Sequence, residues 1–503
     1  MLPTRVDCII LGTGLVNSIF AAACSRIGKS VLHLDKNNYY GDDWASFTFQ
    51  QLLDWTNRFR SEDEASPNEV PEELITKSRT FCIDLCPKLL LSDGPMVDLL
   101  VKSNVSRYHE FKNNIRILSI IGDDIHVIPC RRSEVFTSPI LSNLTDKRKL
   151  MKFIELCMKF TPEDCYNGEN TELEVRSQGQ DSEIALNAQT PIAEFLNQKG
   201  FKETLREYII NSIAMVEPSD TTMLACQNIK KFMIATQRYG RSPFLMPMYG
   251  CGEFPQSFCR LSAVFGGVYC LNDQFTLTNG LLPKEKFDQS PDGQPPSAKR
   301  PPKRLDNGED SFSVLLSNNK HKVHSDKLVM DYNYSLSYKL IDELPLENKL
   351  SRAILITNQS IVQSDEEVVS FLRIPPSDRN NHCIHLLEFN SSVMVCPKGL
   401  NIVYLWTQSS SSDPRSDLLK TVDRLYPREK SECIMWQFYY HQLKSVHKMK
   451  CDNKIDGLHM TCPPSNDIDY EDSINEAQQL FHKIFPGEDF LPRAPDPDEI
   501  IST

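Results

Sequence analysis

The 503-residue chain contains no run of about 18 uncharged apolar residues, the length a helix needs to cross a bilayer. Its first residues, MLPTRVDCIILGTGL, lack the layout of a secretory signal, because the apolar run is four residues long and leads into a glycine turn. Basic residues are the minority: 55 Lys+Arg against 67 Asp+Glu give a net charge of −12, which argues against phosphate-backbone binding and predicts no nucleic-acid partner. The sixteen cysteines include no CxxC pair, and Cys82 and Cys86 have no second pair to complete a zinc site. The expectation is reduced thiols, many of them buried as small hydrophobes, and no metal. A nucleophile elbow, an HExxH and a phosphate-binding GxxxxGK are all missing, so no catalytic constellation is predicted. With Ile501-Ser502-Thr503 at its end and no cysteine there, no prenylation motif of its own is expected, and the sequence shows no internal repeat.

What remains is a globular composition, 40% apolar and 24% charged, with length for about three domains. Asp7–Leu11 reads as a buried strand, Gly12-Thr13-Gly14 as a tight turn, and Leu15–Ile27 as a helix ended by Gly28. Ser30–Asp35 reads as a second apolar strand closing on an acid. This is a βαβ unit, which requires a right-handed crossover and a parallel sheet. From Leu141 to Gln237 apolar residues fall at three- and four-residue spacings suited to amphipathic helices. Short strand-like runs then return at Ser313–Leu316, Ala353–Ile356, Ile384–Phe389 and Ile402–Trp406. The predicted fold is therefore α/β: a Rossmann-type sheet domain, discontinuous in sequence (1–135 and 243–503), with an inserted all-helical domain (136–242). Residues 283–309 read as a Pro- and Lys-rich disordered loop, and 167–189 as a polar surface insertion. His382 and His385 have alternating strand spacing and read as core edge or surface.

Gly12-x-Gly14-x-x-Asn17, followed 23 residues after Gly12 by Asp35, is close to a dinucleotide fingerprint. In the working motif the third glycine lets helix and strand pack closely, and the acid holds a ribose hydroxyl. Asn17 occupies that third position, so a βαβ fold without nucleotide competes with a flavin-dependent oxidoreductase.

Specific strings go further. Ile10–Leu15 (ILGTGL), Ala21–Arg26 (AAACSR), Val31–Asp35 (VLHLD), Tyr39-Tyr40-Gly41 and Trp44–Phe47 (WASF) closely resemble the Rab escort proteins, relatives of the Rab GDP-dissociation inhibitors. So do Ser103–Tyr108, Ser212–Met215, Arg238–Gly240, Pro243–Leu271, Ser391–Gly399 and Pro486–Pro492. Vertebrate escort proteins carry a long acidic insertion where this chain has only Phe59 to Lys77. The resemblance implies a flavoprotein-like fold that uses no flavin or other cofactor, and a cytosolic accessory protein without catalytic residues. Its partners would be GDP-bound, unprenylated Rab GTPases, the α/β heterodimer of Rab geranylgeranyl transferase, the geranylgeranyl lipid on Rab and, transiently, a membrane. The runner-up within the family is a GDP-dissociation inhibitor.

The resemblance also assigns candidate residues. Tyr40, Arg79, Glu253 and Arg260 match a Rab-binding platform, where a ring offers area at low entropic cost and guanidinium pairs with carboxylates. Competing readings are a turn tyrosine for Tyr40 and an internal salt bridge for Glu253 and Arg260. Val268 and Cys270 depart from the inhibitors' pattern. Leu99, Leu100 and Val105 fit either a groove for the Rab tail or plain core. Phe136 and Arg148 match the transferase contact, against a hydrophobic staple for Phe136. Ile209, Ile213, Phe232 and Met233 are candidates for lipid contact or for helical core.

Overall fold

The computed structural model describes residues 3–59, 70–122, 124–130, 134–135, 143–160, 181–240, 242–272, 275–277, 312–316, 321–341, 345–377, 381–427, 432–445 and 455–493. The predicted βαβ unit is present as strand Cys8–Leu11, helix Leu15–Arg26 and strand Val31–Asp35. Gly28 ends the helix at φ 77°, a left-handed conformation that a side chain would resist. Both strands are buried throughout, as a parallel sheet covered on two faces demands. The sheet has five parallel strands in the order Val268–Leu271, Val31–Asp35, Cys8–Leu11, Leu328–Asp331 and Leu458–Thr461. It thus draws on the beginning, middle and end of the chain. Helix Leu15–Arg26 packs against helices Glu253–Val264 and Glu471–Ile484, and every residue from Leu15 to Ser25 is buried. Ala21, Ala22 and Ala23 permit that close approach.

A seven-stranded sheet follows the order Ile434–Leu443, Lys349–Thr357, Asn401–Gln408, Ile384–Asn390, Val369–Ile374, Ile115–Ile121 and Asp124–Ile128. Its pairings are antiparallel except between Val369–Ile374 and Ile115–Ile121. The strand-like runs at 353, 384 and 402 lie in it, and the run at 313 lies in a small antiparallel sheet with His321–Ser325. Between strands Asp124–Ile128 and Phe244–Pro247 the described residues are helical: Leu144–Lys159, Asp181–Leu186, Ile192–Gln198, Glu203–Glu207, a π-helix at Tyr208–Ala214, and Thr222–Tyr239.

One expectation needs correcting. The stretch 167–189 is not all surface insertion, because Asp181–Leu186 is helical, and Ile184 and Ala188, one turn apart, are buried. Two apolar residues at helical spacing outweigh the polar composition around them. The remainder of that stretch and the loop 283–309 lie outside the described residues.

Candidate functional site

The glycine turn comes first, since it decides between cofactor and scaffold. Gly12 takes φ 92°, and a Cβ there would lie 1.7 Å from Asp331 Oδ2, so the Asp331 carboxyl packs directly on the turn. Asn17 folds back on the same turn. Its Nδ2 donates to the carbonyls of Leu11 and Gly12 at 3.0 Å each, and its Oδ1 accepts from Thr461 Oγ1 at 3.0 Å. Asp35, the acid expected to hold a ribose, is saturated by its own chain. It accepts from Thr13 N and Oγ1 at 2.9 and 2.7 Å, from Asn37 N at 2.9 Å, and from Tyr334 OH at 3.1 Å. The crevice beside the turn, lined by Gly14, Asn17, Asp42, Asp331, Asn333 and Thr461, has a volume of about 20 Å³. That is room for one water molecule. A flavin dinucleotide does not fit these residues.

The electrostatics agree. Burial and the neighbouring Asp43 and Asp35 push the Asp42 carboxyl up to about 8, and burial with Asp42 beside it pushes Asp331 well above the carboxylate range. A pyrophosphate would enter a cluster that already holds a proton to relieve its own repulsion. A folded-state pKa above the unfolded value means the folded chain binds the proton more tightly. The Asp42 contribution to stability is then full below about pH 4 and lost as pH rises towards 8. Asp42 sits at φ 45°, which asparagine tolerates, so Asp42→Asn removes the charge without backbone strain. The variant is expected to gain in melting temperature over wild type steadily from pH 5 to pH 9. A gain independent of pH would remove Asp42 from the titrating cluster.

The four platform candidates lie on a turn, a 3₁₀ turn and a helix. Tyr40, half-buried after strand Val31–Asp35, has its ring 6.3 Å from Tyr269, and burial pushes its phenol up. Arg79 is exposed on the 3₁₀ turn Ser78–Thr80. Glu253 opens helix Glu253–Val264, its carboxyl pushed up by burial, and Arg260 is exposed two turns further on. Among the described residues Arg260 has no carboxylate in ion-pair reach, so the internal salt bridge with Glu253 does not form. Its guanidinium lies instead over the Tyr108 ring at 4.7 Å. Val268 and Cys270 are half-buried and pack on the sheet's core. Leu99, Leu100 and Val105 are buried, which resolves the groove-or-core alternative in favour of core. His385 stacks between Phe371 and Trp406, and burial drives its imidazole down to about 3, a neutral core ring.

In the helical run, Phe136 lies outside the described residues. Arg148 is exposed on helix Leu144–Lys159, one turn beyond Leu144, which is 62% exposed. Ile209 and Ile213 fall on the π-helix and, with Phe232, are buried, while Met233 is half-buried. The three buried residues are core, and Met233 packs against it. Arg373, from the seven-stranded sheet, reaches this region: its Nη1 donates to Asn211 Oδ1 at 3.0 Å and its Nη2 to Glu217 Oε1 at 2.6 Å. Sequence reasoning missed this tie, as it missed Tyr108, because neither partner shares a motif with the other. Among the described residues no cluster of His, Cys, Asp and Glu could hold a metal ion, and no helix is long and apolar enough to cross a membrane. Among the described residues no disulfide is formed.

Fold and site together define an α/β protein of flavoprotein-like architecture whose nucleotide crevice is closed by its own side chains. The same fold occurs in a putrescine oxidase variant, at TM-score 0.51 and 9% identity over 96% of this chain and all of that one. It occurs also in a Rab GDI from Plasmodium falciparum, at TM-score 0.68 and 19% identity over 96% of this chain and 99% of that one. The chain belongs to the GDP dissociation inhibitor family, whose pattern matches residues 2–279, and residues 350–482 match the C-terminal region of RAE1/2 domain I. It is 32% identical to the Rab proteins geranylgeranyltransferase component A of Drosophila melanogaster, over 99% of this chain and 92% of that protein.

Proposed function

We propose that this chain is a Rab escort protein. It binds unprenylated, GDP-bound Rab GTPases, presents them to the geranylgeranyl transferase heterodimer, keeps the lipidated product in solution and delivers it to membranes. The chemistry belongs to the transferase; the chain supplies binding surfaces in the cytosol and no catalytic residue. The observation that carries this reading is the 32% identity to a component A sustained along 99% of the chain. A GDP-dissociation inhibitor is the second reading, favoured by the family match over residues 2–279, and it shares the Rab surface but not the transferase contact.

The work divides between two domains. The sheet domain, residues 1–135 and 243–503, carries the Rab platform of Tyr40, Arg79, Glu253 and Arg260. The helical domain, 136–242, carries the transferase contact at Phe136 and Arg148 and the lipid site around Ile209, Ile213, Phe232 and Met233. A geranylgeranyl chain of about twenty carbons gains about 0.8 kcal/mol per buried CH₂, enough to part packed helices without a preformed cavity. Titration of GDP-bound, unprenylated Rab tests the platform. Wild type is expected to prefer the GDP form, and Arg260→Ala to bind about tenfold more weakly, on the order of 1.4 kcal/mol. Its melting temperature is expected to hold, because Arg260 is exposed and forms no ion pair among the described residues. Unchanged affinity would confine Arg260 to its stack on Tyr108.

A further inference from the structure

Eight non-glycine residues among those described have left-handed φ, and two of them combine that strain with an exposed apolar side chain. Tyr249 (φ 67°) and Met394 (φ 59°) are each 50% exposed. Glycine adopts this backbone freely and a bulky side chain does not, so each position holds conformational strain. The surrounding hydrogen bonds impose it. Tyr249 N donates to Val393 O at 3.1 Å, Cys82 N to Val395 O at 2.8 Å, and Cys82 Sγ to Tyr249 O at 2.6 Å. Three segments distant in sequence are therefore fastened around two side chains that contribute little to the core. Among the described residues the Tyr249 ring stacks on no other ring and its hydroxyl has no partner.

The setting has the anatomy of an interface centre. Arg79 is exposed three residues before Cys82, and Glu253 lies near enough to Cys82 to raise its thiol, after the larger influences of burial and Asp84. An apolar pair with a cation on one segment and an anion on another, on a strained and well-fastened backbone, suits a partner patch that is apolar at its middle and charged at its rim. We propose that Tyr249 and Met394 are the apolar anchors of the GTPase-binding surface, seated on an apolar patch of GDP-bound Rab while Arg79 and Glu253 set the rim. This deepens the escort reading above and rests on it.

Glycine substitution gives a test that a structural role would fail. Met394→Gly and Tyr249→Gly each remove the side chain and release the strain. Each is expected to weaken Rab affinity at least tenfold, with the melting temperature held or raised and transferase affinity unchanged. Met394→Ala, which stays strained, is expected to lose the same affinity without the gain in melting temperature. Rab affinity unchanged in both glycine variants would overturn the proposal, as would affinity lost together with a clear fall in melting temperature. Sedimentation showing wild-type dimers that both glycine variants dissolve, with Rab binding intact, would give the surface to a second copy and overturn it too. A wild-type chain that itself ignores Rab would overturn the escort reading, a failure visible before any variant is compared.

Discussion

Phe232→Ala is expected to cost about 3–5 kcal/mol of stability, the range for emptying a buried phenylalanine site, and at the same time to raise the apparent affinity for a geranylgeranylated ligand. Phe232 is 3% exposed on helix Thr222–Tyr239 and meets Phe244 edge-on at a centroid distance of 6.4 Å. That packing holds helix Thr222–Tyr239 against strand Phe244–Pro247. A lipid entering here must first undo it, and its apparent affinity is reduced by the small fraction of chain that is open. Truncation weakens the closed form and leaves a cavity that an isoprenoid would fill. The ligand should therefore raise the melting temperature of the variant by more than it raises that of wild type. If the variant loses stability and the ligand-induced shift stays as in wild type, Phe232 is core alone and the lipid lies elsewhere.

Phe136→Ala is expected to lose most of the affinity for the transferase heterodimer, roughly 2 kcal/mol or more, a factor of about 30. The residue lies outside the described residues, so the expectation rests on its match to the family's transferase contact and on the surface nearby. Arg148 is exposed on the helix that follows, and Leu144, one turn earlier, is 62% exposed. That helix begins with an apolar and a basic side chain turned to solvent, in a chain of net charge −12. Rab affinity is expected to hold, since none of the platform candidates lies on helix Leu144–Lys159 or in the helical run that follows it. The melting temperature is expected to change little, because a side chain reserved for a partner adds little to the free core. A staple on the following helix predicts the reverse, a clear fall in stability with secondary loss of both partners. Two titrations and one melting curve on a single variant separate the outcomes.

The two sites differ in how far the sequence exposed them, and the difference follows the range of the interactions. The βαβ unit was readable because strand, glycine turn and helix are set by neighbours within thirty residues. Asn17 was readable as an obstacle to the nucleotide motif. What fills the crevice was not: Asp331 and Thr461 arrive from strands more than 300 residues further on, and only the parallel sheet brings them to the turn. The pairing of Glu253 with Arg260 looked plausible at two turns' spacing, yet Arg260 turns to Tyr108 from another segment. Tyr249 and Met394 carry no composition signal at all, since the sign of φ at a non-glycine residue is imposed by tertiary hydrogen bonds. The π-helix is equally silent in sequence, so Ile209 and Ile213 read as ordinary amphipathic positions. Polar composition hid the helix at Asp181–Leu186, where Ile184 is buried, as is Ala188 just beyond it.

The central claim is that this chain makes Rab a substrate for a transferase that does not act on Rab alone. Its most direct test is geranylgeranylation of purified GDP-bound Rab by the purified α/β heterodimer, with labelled geranylgeranyl pyrophosphate, in the presence and absence of this chain. The escort account predicts label on Rab only when the chain is present, rising with its concentration until Rab is saturated. Label incorporated equally well without the chain would contradict it.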